Sequence, residues 1–128
     1  YPISNAVFGN SINGAVLRYL FPCTGVISKG MVKLGAKPKN PIEIFIRVFG
    51  PSTGTTKEYT VEKSSLIFEP GIGVESGSCL EVDLINLHTE DPVTEAWLSF
   101  LWVHDVTDVS RRSFVIDEIE NDLLLEEN

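Results

Sequence analysis

Residues 41–49 read PIEIFIRVF, and this alternation leaves the segment little choice but an extended strand. Ile42, Ile44, Ile46 and Val48 fall on one side, and Glu43, Phe45, Arg47 and Phe49 on the other. Successive side chains of a strand point to opposite faces, so a period of two puts one set in a core and the other outside. Residues 79–87 (CLEVDLINL) repeat the pattern, with Leu80, Val82 and Leu84 inward and Glu81 and Asp83 outward. Aliphatic and β-branched residues alternating with charge suit a pleated, half-buried surface.

Other segments join them. Residues 15–21 (AVLRYLF) are continuously apolar, and residues 26–34 (VISKGMVKL) alternate imperfectly around Gly30, where a bulge or a close backbone approach is expected. The threonine-rich residues 55–61 read as an edge or outer strand, and residues 66–68 as a short one ended by Glu69-Pro70-Gly71. Glycine and proline clusters at residues 22–25, 35–41, 50–54, 70–73 and 90–92 separate the strands. Six or seven strands with no helical period before residue 113 predict one all-β domain over residues 1–112. An antiparallel β-sandwich of jelly-roll type is the natural architecture. The sequence shows no repeat, linker or second domain. With 128 residues and 43% apolar content, it can bury a core without a metal or disulfide staple.

Charge narrows the partners. The net charge is -8, yet residues 1–112 hold 10 bases and 12 acids, while residues 113–128 hold six acids and no base. The body is near neutral and the tail is an acidic arm. Nucleic-acid binding wants clustered Lys and Arg, and none is expected here; Lys29, Lys33, Lys37 and Lys39 read as the solvated side of a strand and its loop. No apolar run approaches the roughly 18 residues of a membrane span, so no membrane partner is expected. Tyr1 in place of an initiator Met suggests a processed or trimmed start. Cys23 and Cys79 match no metal spacing and read as buried free thiols, with a disulfide as the alternative.

Residues 95–104 (EAWLSFLWVH) carry the strongest functional signal. Ala96, Leu98, Phe100 and Trp102 share one face; Trp97, Ser99, Leu101 and Val103 share the other. A sandwich strand normally shows water one polar face, and this one has none. Either the chain covers that second face itself, or another subunit does, with Trp97, Leu101 and Val103 at the interface. The subunit reading is preferred. Phe45 and Phe49, outward on their own strand, would add the same kind of patch. In residues 113–128 (SFVIDEIENDLLLEEN), Ile116, Ile119 and Leu123 recur at helical spacing, and Asp117 with Glu120 suggests a capped start. A short helix of this kind needs a surface to lie on, its own sandwich or a neighbour's; a frayed tail is the remaining choice.

Catalytic and cofactor signals are missing. His88 and His104 have acidic neighbours but no ligand spacing, no serine sits in a nucleophile turn, and Gly71-Ile72-Gly73 leads into a strand, not a helix. Glu81 and Asp83 read as solvated surface. The expectation is a non-enzyme without cofactor or metal.

Two local phrases carry a resemblance. Residues 74–82 (VESGSCLEV) place Gly77 in a turn just before a strand, and the pattern V-x-x-G-x-x-L-x-V is similar to one in jelly-roll and C1q/tumour-necrosis-factor-like sandwiches. The phrase AWLSFLWV resembles a late strand of the small sandwich proteins that decorate, cement or accompany the fibres of tailed-phage particles. That resemblance implies a virion structural protein, a homotrimer seated on other virion subunits such as a major capsid protein. Two alternatives stand beside it. One is a carbohydrate-binding jelly-roll module using Trp97 or Trp102 with Tyr59 and Phe45. The other is a C1q/tumour-necrosis-factor-like trimeric ligand.

Overall fold

The computed structural model describes residues 1–104 apart from Thr53 and Thr89. Among the described residues nine strands follow one another: β1 (Pro2–Phe8), β2 (Gly14–Leu20), β3 (Gly25–Leu34), β4 (Ile42–Phe49), β5 (Gly54–Val61), β6 (Ser65–Phe68), β7 (Ile72–Val74), β8 (Cys79–Ile85) and β9 (Glu95–His104). They form two antiparallel sheets. Sheet A runs β1-β9-β3-β6, with β7 also paired to β3, and sheet B runs β2-β8-β4-β5. The chain passes from one sheet to the other at most connections, the wiring of a jelly-roll sandwich.

The alternating segments do what their pattern dictates. Ile42, Ile44, Ile46 and Val48 of β4 and Leu80, Val82 and Leu84 of β8 are buried against Ala96, Leu98, Phe100 and Trp102 of β9 and their neighbours. Trp102, 1% exposed, meets Phe21 edge-on at 5.2 Å between centroids, and Phe68 meets Phe100 at 5.8 Å. β5 is an edge strand of sheet B, as β2 is at the other side.

Two strands exceed the six or seven expected. β1 opens with Pro2 and carries Ser4 and Asn5, weak strand formers tolerated because it is an edge strand paired only to β9. β7 lies within and just after the glycine-proline cluster of residues 70–73, where turn chemistry hides three residues paired to Gly25–Ile27.

Gly30 and Gly77 have distinct reasons to be glycine. Gly30 lies under two aromatic rings: a Cβ there would strike Phe68 and stand 2.9 Å from Phe100 Cε1. The close approach is to side chains. The bulge lies nearby at Ser28, between Ile27 and Lys29. Gly77 has φ of 87°, a conformation L side chains rarely adopt, and its N–H donates to Phe21 O at 2.8 Å.

The acidic arm of residues 113–128, with Ile116, Ile119 and Leu123, lies outside the described residues.

Candidate functional site

The strand order makes β9 a central strand of sheet A, flanked by β1 and β3, so its outward side chains stand in the middle of a broad face. Across that face Trp97 pairs with Ala6 and Lys33, Ser99 with Ser4 and Met31, Leu101 with Pro2 and Lys29, and Val103 with Val26. Ile67 of β6 extends the Met31 row, and Phe8 of β1 closes the far end beside Glu95.

The result is one face rich in exposed apolar side chains, with Ser4, Ser99, Lys29 and Lys33 standing between them. Trp97, Leu101 and Val103 are 45%, 43% and 49% exposed, and Phe8, Val26, Met31 and Ile67 are exposed with them. Its aromatic end is ordered by local contacts. Phe8 meets Trp97 edge-on at 5.3 Å, and the Trp97 indole N–H donates to Glu95 Oε1 at 2.5 Å. A shallow depression of about 830 Å³ lies here, lined by Ser4, Ala6, Met31, Lys33, Trp97 and Ser99 among others. Lys29 and Lys33 are the bases on the outward strand positions of this face and Glu95 is the acid.

The outer face of sheet B is of another kind. Arg47 donates to Glu81 Oε1 at 2.7 Å and also to Asp83, and Arg18 stands 3.5 Å from Glu81. The carboxylates read from sequence as solvated are thus clamped by arginine. Glu43 and Glu58 sit on the same face, and the Glu58 carboxyl is held above its ordinary value, first by desolvation and then by the charge and hydrogen bond of Glu43.

Phe45 and Phe49 belong to this charged side. Phe45 is half-buried beside Glu58 and Asp83, and Phe49, 49% exposed, forms a small apolar corner with Leu20 and Cys79. The structure therefore brings Trp97, Leu101 and Val103 together and leaves Phe45 and Phe49 on the opposite side of the sandwich. The aromatics considered for sugar stacking also part company: Trp102 is in the core and Tyr59 stacks on Phe68 at 4.5 Å.

Phe8, Val26, Met31 and Ile67 were not singled out in the sequence. The signal for Val26 and Met31 was there, since both lie on one side of β3 once a bulge at Ser28 is allowed.

Both cysteines are free thiols. Cys23 is buried, with Sγ 3.4 Å from His104 Nδ1, and the His104 ring stacks on Trp102 at 4.4 Å. Among the described residues no three metal-binding side chains gather.

Comparison with known proteins adds little. No family model and no curated protein matches the chain. Among solved structures, PirA aligns with a TM-score of 0.44 and 12% identity, covering 80% of this chain and 94% of that one. RmlC from Streptococcus suis, solved with dTDP-D-xylose, aligns with a TM-score of 0.27 and 10% identity, covering 83% of this chain and 47% of that one. Likenesses this distant carry no functional argument.

Proposed function

We propose that the protein is a structural assembly subunit that docks through the outer face of sheet A. The observation that carries this reading is the gathering of seven exposed apolar side chains, Phe8, Val26, Met31, Ile67, Trp97, Leu101 and Val103, on one face of one sheet. Apolar residues scattered singly on a monomer need no explanation, but seven gathered on one face with an aromatic end do. Such residues are enriched at the cores of protein interfaces.

Magnitudes shape the proposal. Burying one half-exposed apolar side chain recovers roughly 1 kcal/mol. The whole patch then gains on the order of 7 kcal/mol, comparable to the cost of about 4–15 kcal/mol for joining two free bodies. A single such contact is weak, and a repeated one in an array is strong. That suits a subunit on a particle surface: a decoration or cement protein of a virion, acting as a homotrimer on other virion subunits such as a major capsid protein.

The test is sedimentation of the full chain over a wide concentration range beside Trp97→Asp. Concentration-dependent association lost in the variant supports the reading. A wild-type chain that stays monomeric and fails to bind assembled shells overturns it.

A carbohydrate-binding reading draws on one observation: the half-exposed Trp97 lies in a depression with Ser4, Ser99 and Lys33, polar groups that suit sugar hydroxyls. Because Trp102 is buried, a change in tryptophan emission on adding oligosaccharides, absent in Trp97→Phe, would report stacking there.

A further inference from the structure

Sheet B ends in two edges of opposite charge. β5 is the longer one, eight residues without proline and with no break in its register against β4. The edges of sheet A are blunter, since β1 opens with Pro2 and β6 and β7 are only four and three residues long. An unpaired strand edge is a template for another strand. The charged outward side chain of β5 is Glu58, opposite Phe45 in the register and with the Glu43 carboxylate beside it. On β2, at the far edge, it is Arg18, its side chain 73% exposed and 3.5 Å from Glu81. A groove of about 500 Å³ runs along that far edge, lined by Pro2, Ser4, Asn5, Leu17, Arg18 and Tyr19 among others.

Hydrogen-bond phase makes the match specific. Phe21 N–H, just past β2, donates to Ser78 O beside β8. Main-chain groups alternate in direction along a strand, so Tyr19 and Leu17 also turn theirs to β8, while Arg18 and Leu20 turn theirs outward. Carried across β8 and β4, the same alternation leaves Thr56, Glu58 and Thr60 outward on β5. Asn5 Nδ2 donates to Val16 O at 2.6 Å, which closes the β2 edge below Leu17 and leaves Arg18 and Leu20 open among the described residues.

Direction and facing agree as well. Every neighbour in the order β2-β8-β4-β5 is antiparallel, so a copy rotated about an axis along the strands brings its β2 antiparallel to β5. With Glu58 opposite Arg18 of that copy, Thr56 falls opposite its Leu20 on the outer face. Lys57 and Tyr59 then fall opposite its Tyr19 and Leu17 on the inner face. A slip of one residue sets inner side chains against outer ones. A slip of two keeps the faces and separates the charges.

We propose that β5 of one copy adds antiparallel to β2 of the next, Glu58 opposite Arg18, so that sheet B continues from copy to copy. A head-to-tail contact of this kind closes a ring when the rotation allows. It deepens the assembly reading, rests on it for the number of copies (three), and leaves the outer face of sheet A free for other subunits.

The experiment is disulfide trapping in a full chain freed of its own thiols by Cys23→Ala/Cys79→Ala. Leu20→Cys/Thr56→Cys places one thiol on each edge, with Cα atoms about 5.5 Å apart across the contact, within disulfide reach. Within one copy the two edges are three strand spacings apart, about 14 Å, so no link forms there. Mild oxidation is expected to give linked dimers and trimers on a non-reducing gel. Leu20→Cys/Thr60→Cys, out of register by about 13 Å, gives none. With the native cysteines in place, Arg18→Glu or Glu58→Arg weakens association in sedimentation about tenfold, and the two together restore it. The absence of links, equal links from both cysteine pairs, or no rescue by the double exchange overturns the inference. The two proposals fail separately. In-register links in a chain whose Trp97→Asp variant binds assembled shells as well as wild type keep the edge contact and remove docking through sheet A. Shell binding lost in Trp97→Asp, with no in-register links, keeps the docking and removes the edge contact.

Discussion

Trp97 and Trp102 belong to the same strand and stand on opposite sides of the same sheet, the first 45% exposed and the second 1%. Substitution separates their roles. Trp102→Ala empties a core site between Phe21 and Tyr19 and costs about 3–5 kcal/mol, read from the denaturant midpoint. Trp97→Ala changes stability by about 0.5 kcal/mol or less while weakening self-association in sedimentation. Equal destabilisation by both would contradict this division.

Gly30 tolerates no side chain because Phe68 and Phe100 occupy the space above it. Gly30→Ala is expected to cost about 1–3 kcal/mol, the usual penalty of overpacking. Adding Phe68→Leu opens the site, so the double variant loses less than the two single losses summed. Simple additivity in that cycle speaks against the steric account.

Arg47 holds both Glu81 and Asp83, but its side chain is 47% exposed. Arg47→Met should therefore cost only about 0.5–1 kcal/mol. The loss shrinks in concentrated salt. Arg18→Met, where the arginine is 73% exposed, changes thermal stability little. A loss at Arg47 that is unaffected by salt would assign its effect to packing of the aliphatic stem instead.

Glu58 titrates above the ordinary glutamate value, through desolvation and then the neighbouring Glu43. The native state thus holds this proton to a higher pH than the unfolded chain does. Its stabilising contribution is complete on the acid side of the unfolded value and is lost as pH rises through the native one. Glu58→Gln flattens that decline, so melting curves of variant and wild type converge in acid and separate toward neutral pH. Curves that run parallel across the whole range refute the assignment.

The fold was legible where strict alternation or a long apolar run marks a strand. β4 and β8 show strict alternation because their outward positions meet solvent and charge, and β9 was recognised from its apolar runs on both faces. β1 and β7 were not, because an edge strand with Pro2, Ser4 and Asn5 and a three-residue strand beside Gly71 imitate loops. The site was half legible. Trp97, Leu101 and Val103 announced an unusual strand, but their neighbours depend on which strands pair, and residue type alone does not reveal that. Phe45 and Phe49 looked equivalent to them because alternation says which residues face outward and is silent about which sheet they face outward from.

The bulge at Ser28 has a further consequence. Ile27 faces the core from an odd position of β3, while Gly30, Val32 and Leu34 face it from even ones, and the extra residue between Ile27 and Lys29 reconciles the two parities. Removing Ser28 alone leaves every other residue of that ribbon pointing as it did, at the cost of the hydrogen bond its hydroxyl gives Leu101 O. Deleting a single residue on either side, such as Val32, reverses a whole stretch and drives Lys33 toward the interior. Chain-length change is thus survivable at one point of this strand and ruinous beside it, a pattern that natural variants of the sequence would carry as a gap at that position alone.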